Sequence, residues 1–428
     1  MFRAWACMVL LWGVGVAQAG PAAAQPRVKR QTDVSEVADD LLLCLLEASA
    51  IGSDASDCDS LTTPSNPITI PNPGTGTTEA QPPVTGDGCV CVPWWECQDN
   101  LVTAAPDGGL LAVVNVRMNQ FCPVPEDVCC VSAFSPTPTT QTPEPYIPRC
   151  GVRHPRGVGA TFEGFTDRQA QFGEFPWMAA VMTSALHGTI NANLYICGAS
   201  LVHPQVVLTA AHYVQNMTAD QLAVRLGEWN FKLPSEPAPH QDFLVNKILI
   251  HPKYIPKHLH YDVALLFLDH EAELGPTVDT ICLPELGQTF DGDRCISSGW
   301  GKDLFGKEGK YQQILKSIEL PAVNHSACQK AMRGTRLGSG FRLHSSFMCA
   351  GGEAGSDVCT GDGGSPLVCP MTSDPERYVQ AGIVAWGIGC GQAGLPGVYA
   401  AVSEAVEWVQ HELLSNFGFD IRLGNSRR

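Results

Sequence analysis

Positive charge is scarce in this chain. Its 428 residues include 27 Lys and Arg against 43 Asp and Glu, which gives a formal net charge of -16 and an isoelectric point near 5.1. Nucleic-acid binding needs concentrated positive charge, and so does a basic anchor on a membrane surface. Beyond its first residues the chain also lacks any run that approaches the roughly 18 apolar residues of a membrane-spanning helix. These shortages predict no nucleic-acid partner and no membrane attachment, and they favour an acidic protein dissolved in an extracellular fluid.

The first 19 residues have the three parts of a secretory signal peptide. Arg3 supplies the positive start, 4–16 the apolar run and Ala17-Gln18-Ala19 the small-residue cleavage site. We therefore expect a secreted protein in an oxidising compartment, with paired cysteines. Of the 18 cysteines, Cys7 leaves with the signal. An odd number remains, which requires one thiol that is free or bonded to another molecule.

Composition divides the rest of the chain into segments. The run Arg-Val-Lys-Arg that ends at Arg30 is either a convertase cleavage site or a solvated basic patch. Apolar residues at helical spacing within 34–50 predict an amphipathic helix, which a bond between Cys44 and Cys58 can tie. Two stretches rich in Pro and Thr bury too little apolar surface to fold and are predicted linkers. The predicted segments are the signal 1–19, a pro-segment 20–30, a helical segment 31–61, linkers 62–88 and 131–149, a cysteine-rich module 89–130 and a large domain 150–428.

Six cysteines crowd the module 89–130. A unit of this size cannot build a sufficient apolar core, so covalent staples are expected to hold it. Zinc is the competing interpretation of clustered cysteines, but secretion favours disulfides and no histidine interleaves them. Spacing alone leaves fifteen connectivities open. The cysteines are Cys89, Cys91, Cys97, Cys122, Cys129 and Cys130.

Three motifs of the large domain occur in a characteristic order. Leu208-Thr209-Ala210-Ala211-His212 comes first and Tyr261-Asp262-Val263-Ala264-Leu265-Leu266 second. The stretch 357–366, Asp-Val-Cys-Thr-Gly-Asp-Gly-Gly-Ser-Pro, comes third. These motifs resemble the histidine, aspartate and nucleophile motifs of trypsin-like serine proteases, in the chymotrypsin-like order. The resemblance covers roughly residues 150–415 and implies a mainly β fold, two antiparallel β-barrels with the active cleft between them.

The third motif departs from that family at its central position. Gly363 stands where the family has its serine, and a glycine has no side-chain oxygen to attack a carbonyl. His212 and Asp262, the other two triad positions, are thus predicted to be inactive. Ser365, two residues further along, is expected about 6–7 Å from the required place. The family's activation motif is also absent, because Glu163 stands where a trypsin-like activator needs Arg or Lys.

The resemblance implies roles for further residues of the large domain. Asp357 occupies the pocket position that prefers Arg or Lys side chains, with Gly387 and Gly397 as open walls. Tyr213 replaces the cysteine that would pair with Cys197. Cys197 is then a buried free thiol or a link to a second molecule.

The same resemblance implies disulfides and a cation loop. The cysteine-rich module resembles the clip domain of arthropod immune proteases, and the implied pairs are Cys89–Cys129, Cys91–Cys122 and Cys97–Cys130 in the module and Cys150–Cys282, Cys295–Cys369, Cys328–Cys349 and Cys359–Cys390 in the large domain. A loop similar to the calcium loop of trypsins contains Glu228, Asn230, Leu233 and Glu236. Because its second glutamate comes two residues early, the loop is either a calcium site or an ordinary acidic surface loop. Asn216 and Asn324 begin glycosylation sequons.

Together, the clip module, the Pro/Thr linkers and the serine-less domain resemble the clip-domain serine protease homologues of arthropod haemolymph, of the prophenoloxidase-activating factor type. The resemblance implies a secreted, non-catalytic cofactor of melanisation, cleaved after Arg117 or Arg149. The resemblance further implies that the cleaved protein self-associates and presents prophenoloxidase to the activating clip-domain protease. Two alternatives stay open: an adhesion or microbial pattern-recognition protein, and an active trypsin-like endopeptidase, which an organophosphate would label.

Overall fold

The structure, a computed structural model, describes the chain in segments. Every described residue lies within Asn66–Arg428. The predicted signal peptide, Arg30, Cys44, Cys58 and the linker 62–88 lie outside the described residues. The described ranges are 90–93, 102–104, 110–115, 127–130, 146–163, 168–184, 190–232, 236–301, 312–354, 363–388 and 392–418. In the first four ranges and in 190–194 only the backbone is described.

Five short strands form two small sheets. The strands are β1 (Val90–Pro93), β2 (Val102–Ala104), β3 (Leu110–Asn115), β4 (Asp127–Cys130) and β5 (Ala160–Glu163). β1 pairs antiparallel with β4, which sets Cys91 opposite Cys129 in the backbone register. β3 pairs antiparallel with β2 and parallel with β5. The cysteine-rich module thus shares a sheet with the first strand of the large domain.

Six strands close the first barrel. They are β6 (Met178–Ser184), β7 (Ile190–His203), β8 (Val206–Thr209), β9 (Leu222–Leu226), β10 (Gln241–Ile250) and β11 (Ala264–Leu268), in the order β10-β11-β8-β7-β6-β9. Every residue of β8, β9 and β11 is buried. Successive side chains of a strand point to opposite faces. In β8, Val206 and Leu208 join one apolar cluster and Val207 joins another, so both faces of the strand are covered.

Six further strands close the second barrel. They are β12 (Arg294–Gly299), β13 (Lys316–Val323), β14 (Phe347–Gly351), β15 (Pro366–Met371), β16 (Asp374–Trp386) and β17 (Pro396–Ala401), in the order β12-β13-β14-β17-β16-β15. One buried cluster contains side chains of both barrels, among them Leu208 and Leu265 of the first and Ile296 and Ile383 of the second. The predicted double β-barrel is confirmed, and its main core lies where the two barrels meet.

Helices are short or terminal in this fold. Within the described ranges they are α1 (Ala211–Val214), α2 (His325–Arg333) and α3 (Val402–Phe417), with a 3-10 turn at Ala219–Gln221. α3 buries Val402, Val409 and Leu413 against the core and ends at Gly418, whose φ of 65° suits glycine. Within the described ranges, no helix has the length and apolar character needed to cross a membrane.

Candidate functional site

His212 and Asp262 form a hydrogen-bonded pair. His212 lies in α1, directly after β8, and Asp262 lies two residues before β11. Because β8 and β11 are paired, their ends bring the two side chains together. His212 Nδ1 lies 2.6 Å from Asp262 Oδ2, and the His212 backbone N–H donates to Asp262 Oδ1 at 2.8 Å. Such a carboxylate holds the imidazole in the tautomer that leaves Nε2 free to accept a proton.

Gly363 lies beside this pair, at the start of the loop that leads into β15. Its carbonyl accepts a hydrogen bond from Gly198 N–H at 3.1 Å, and Gly364 N–H donates to the Val384 carbonyl at 3.0 Å. The loop is therefore held between β7 and β16. Of the third predicted motif, 357–362 lies outside the described residues, including Asp357, Cys359 and Asp362. The structure thus brings two triad side chains together next to a position that has no side chain.

Ser365 does not take the place of the missing nucleophile. Its side chain is fully buried, and its Oγ has no hydrogen-bond partner within the part of the chain that the structure describes. A Cβ on Gly198 would overlap that oxygen, so the hydroxyl group faces the backbone of β7. A buried hydroxyl that packs against a strand cannot reach a substrate in the cleft.

Cys197 is a free thiol in the first barrel. It is fully buried, and its Sγ lies 3.5 Å from Thr209 Oγ1. Burial raises the pKa of the thiol to about 12, although the Thr209 hydrogen bond acts in the opposite direction. A bond from this thiol to a second molecule would require the barrel to open.

Three disulfides lie in the described part of the large domain. They are Cys150–Cys282, Cys295–Cys369 and Cys328–Cys349. Cys390, the implied partner of Cys359, lies outside the described residues, as do Cys89, Cys97 and Cys122. The side chains of Cys91, Cys129 and Cys130 are likewise not described.

Of the predicted specificity pocket, the structure describes the two wall glycines but not Asp357. Gly387 is exposed and directly follows β16. Gly397 lies on β17 opposite Ala350 of β14. Glu163 ends β5, and the four residues after it, which hold the position of the activation motif, lie outside the described residues.

The cation loop contains two buried glutamates. Glu236 Oε1 accepts hydrogen bonds from the backbone N–H groups of Trp229 and Asn230 at 3.1 and 2.7 Å. Glu228 Oε2 pairs with Arg225 Nη1 at 3.1 Å and lies 3.3 Å from His240 Nδ1. The other two oxygens, Glu228 Oε1 and Glu236 Oε2, are buried and have no described hydrogen-bond partner outside this pair of glutamates.

The two glutamates of this loop affect each other's ionisation. Burial, followed by the nearby charge of Glu228, raises the pKa of Glu236 to about 9. Two adjacent carboxyl groups at one buried place also match the oxygen ligands that a hard cation takes. No group of three or more His, Cys, Asp or Glu that could hold a metal occurs among the described residues. A site here would therefore need backbone oxygens, and Leu233, one predicted source, lies outside the described ranges.

The two predicted glycosylation asparagines differ in their hydrogen bonds. Asn216 is exposed after α1. Asn324 is also exposed, but it caps α2 by accepting from Ser326 N–H at 3.0 Å and donates to Asp291 Oδ2 at 2.7 Å. Of the cleavage candidates, Arg30 and Arg117 lie outside the described residues.

The third cleavage candidate, Arg149, has an exposed side chain on a fixed backbone. Its side chain is 61% exposed. Its backbone N–H donates to Asp279 Oδ2 at 3.0 Å, and the same oxygen accepts from the Tyr146 hydroxyl at 2.7 Å. The next residue, Cys150, is disulfide-bonded to Cys282.

Tyr213 is a residue of this centre whose position the sequence did not predict. The sequence gives one signal, a tyrosine where the family has a cysteine, and that signal concerns a missing disulfide. In the structure the Tyr213 ring lies 4.1 Å from the His212 ring, centroid to centroid, and contacts Gly363. The spacing of residues along the chain does not show which side chain fills this space.

Comparison with known proteins places these features in context. A family profile described as "Trypsin" matches residues 165–409. The chain is 50% identical over 283 residues to "Phenoloxidase-activating factor 2" of Galleria mellonella, which covers 65% of this chain and 93% of that protein. It is 39% identical to "Inactive CLIP domain-containing serine protease A3" of Aedes aegypti, over 76% of this chain and 67% of that protein. It is 36% identical to "Inactive CLIP domain-containing serine protease A28" of Anopheles gambiae, over 69% of this chain and 80% of that protein.

Proposed function

The chain belongs to the trypsin family of serine proteases, and we propose that it is a clip-domain member that has lost catalysis and serves as a secreted cofactor in prophenoloxidase activation. Gly363 is the observation that carries this proposal. The His212–Asp262 pair is complete, but residue 363 carries no hydroxyl group, and the Ser365 side chain is buried. Loss of the nucleophile of such a triad lowers kcat by about a millionfold.

The names of its relatives support a role in the same cascade. One relative is named a phenoloxidase-activating factor, and two are named inactive clip-domain serine proteases. We propose prophenoloxidase and its activating clip-domain protease as partners. The cleft then serves as a surface that holds one partner near the other, without hydrolysis. The chain is proposed to act in haemolymph, as expected for a secreted protein with disulfides.

Cleavage after Arg117 is the proposed activating step. A protease must draw several residues on each side of the cleaved bond into an extended form. At Arg149 this is opposed by the hydrogen bonds to Asp279 and by the adjacent Cys150–Cys282 bond. Arg117 follows β3 by two residues and lies within the cysteine-rich module. Disulfides across the module would keep the pieces joined, so a cut there can change the surface of the protein and permit self-association.

Calcium is proposed to occupy the loop of Glu228 and Glu236. The support is the pair of adjacent buried carboxyl groups, which match the oxygen ligands that a hard cation takes. The cation would neutralise two adjacent carboxylates and hold the loop beside the first barrel. Its proposed role is structural, and no catalytic step depends on it.

Reconstitution tests the proposed function directly. Purified prophenoloxidase is incubated with its activating protease, with or without the cleaved chain, and phenoloxidase activity is measured. A gain in activity over the protease alone is expected, because the chain presents the substrate. No gain would remove the cofactor hypothesis. Capture of the chain on bacteria or haemocytes, without a gain, would favour an adhesion or pattern-recognition protein.

A further inference from the structure

Gly363 has no space for a side chain. A Cβ built on this glycine would overlap the hydroxyl oxygen and the Cε2 atom of Tyr213, and it would lie 2.6 Å from Tyr213 Cζ. Real Cβ atoms essentially never approach another heavy atom so closely. The three nearest atoms all belong to Tyr213. One neighbouring side chain therefore fills the place that a side chain at position 363 would take.

The backbone at Gly363 does not itself require glycine. Gly364, the next residue, has a φ of 79°, in the left-handed region that suits glycine, whereas Gly363 is not among the residues with positive φ. A Cβ on Gly364 would overlap the Gly198 carbonyl and Thr209 Oγ1, which are parts of the barrel. The two adjacent glycines are thus needed for different reasons. Gly364 is required by its backbone conformation and its neighbours, and Gly363 by the Tyr213 ring.

The Tyr213 ring is held on several sides. It lies 4.1 Å from the His212 ring, centroid to centroid, and is tilted against it by 41°. It also packs against both buried clusters that the first barrel contributes to. To move away from Gly363, the ring would have to give up these contacts. Tight packing of this kind makes an added methyl group costly.

We infer that Tyr213 is a second, steric determinant of inactivity, coupled to Gly363. This inference rests on the proposed loss of catalysis and adds a reason to it. The Tyr213 ring occupies the space of the nucleophile's side chain, so a serine at position 363 fits only if Tyr213 is replaced by a smaller residue. Two features would thus prevent catalysis: residue 363 has no hydroxyl group, and the Tyr213 ring fills the space that its side chain would need.

A double-mutant cycle on the secreted full chain tests this coupling. Gly363→Ala is made in the native background and in the Tyr213→Phe and Tyr213→Ala backgrounds, and the main unfolding transition is followed by calorimetry. The added methyl group should lower Tm by roughly 5 °C in the native background. The Tyr213→Phe background should show a similar loss, since the ring carbons remain. In the Tyr213→Ala background the loss should be below about 1 °C.

Gly364→Ala is the matched control. Its clash is with the barrel backbone and Thr209, so its loss in Tm should be the same with and without the Tyr213 ring. Equal losses from Gly363→Ala in the native and Tyr213→Ala backgrounds would overturn the inference, as would no loss in the native background. If Gly363→Ala is not secreted, restored secretion in the Tyr213→Ala background supports the coupling, and failure there contradicts it.

Covalent labelling of a serine at position 363 tests the inference independently. Organophosphate labelling of the Gly363→Ser variant with Tyr213 intact would overturn the inference, because the ring should exclude a reactive serine. These experiments are separate from the proposed function. A failure of reconstitution would remove the cofactor role without changing the Tm cycle. An unchanged Tm would remove the steric coupling without changing the cofactor role.

Discussion

His212 keeps the contacts of a catalytic base although residue 363 offers it no hydroxyl group. Asp262 is fully buried. Its Oδ1 accepts from the His212 backbone N–H, and its Oδ2 lies 2.6 Å from the imidazole Nδ1. A buried carboxylate without such partners would be costly. The pair therefore has a structural role that does not depend on catalysis. A complete His–Asp pair is weak evidence of activity, because the same hydrogen bonds also stabilise the buried Asp262 carboxylate.

The reactivity of the Cys197 thiol tests whether this cysteine is free and buried. With a pKa of about 12, only about one thiol in ten thousand is ionised at pH 8, and the thiolate is the reactive form. We predict no reaction of the native, unreduced protein with dithionitrobenzoate over an hour at pH 8. One thiol per chain should react once guanidinium unfolds the protein. The Cys197→Ala variant should show none in either state.

Rapid labelling of the native protein would contradict this account of Cys197. A covalent dimer on an unreduced gel that disappears in the Cys197→Ala variant would do so as well. Either result would mean that the thiol is accessible, contrary to its complete burial.

The paired glutamates lead to a prediction for calcium. A ligand at a hundred times its Kd stabilises the folded state by about 2.7 kcal/mol. We therefore expect calcium to raise the Tm of the protein by several degrees relative to a chelator. Glu236→Gln should abolish most of this shift, because the amide removes one charged ligand and keeps the shape of the side chain. Magnesium at equal concentration is the control ion.

A calcium shift of the same size in the Glu236→Gln variant would place the ion elsewhere. No shift in the native protein would make the loop an acidic network closed by Arg225 and His240.

At the scale of elements, the strands are the most predictable part. The motif resemblance implies two antiparallel β-barrels, and β8 and β11 lie in the first of them, next to His212 and Asp262. The parallel pairing of β3 with β5 was not predictable, since neither strand carries a motif and 44 residues lie between them. Local pattern indicates where strands occur, but a contact between distant segments depends on the whole fold.

The candidate site, like the fold, is only partly predictable from the sequence. Residues 212, 262 and 363 were assigned from motifs, because their chemistry imposes residue types at fixed places. The position of the Tyr213 ring and the adjacent buried carboxyl groups of Glu228 and Glu236 became visible only in three dimensions. Their roles depend on which neighbours share a space, and sequence spacing carries little of that information.

The start of α2 predicts a difference between the two sequons. Asn324 caps the helix and also donates to Asp291, so its amide is engaged on both sides. Asn216 is exposed after α1. We predict that peptide mapping by mass spectrometry finds a glycan at Asn216 and little at Asn324. The Asn216→Gln variant, expressed in the same cells, should lose its glycan mass. Full occupancy at Asn324 would show that the cap forms after glycosylation or not at all.

At the scale of the whole molecule, the two cleavage candidates predict different products. The described disulfides Cys150–Cys282, Cys295–Cys369 and Cys328–Cys349 all lie after Arg149. A cut at Arg149 would therefore release the preceding segment, unless an undescribed bond spans it. A cut at Arg117 would leave the pieces joined through the module.

We expect the activating protease to yield one band on an unreduced gel and two bands after reduction. Arg117→Gln should block the cut, whereas Arg149→Gln should leave it unchanged. Two bands without reduction, retained in the Arg117→Gln variant, would assign the cut to Arg149.

The account as a whole depends on the absence of hydrolysis. Its most direct test is the turnover of an arginine peptide ester by the purified, cleaved protein, measured beside the His212→Ala variant. We predict no turnover above the uncatalysed rate in either preparation, because Gly363 cannot form an acyl-enzyme. Turnover by the native protein that His212→Ala abolishes would contradict the account at its centre.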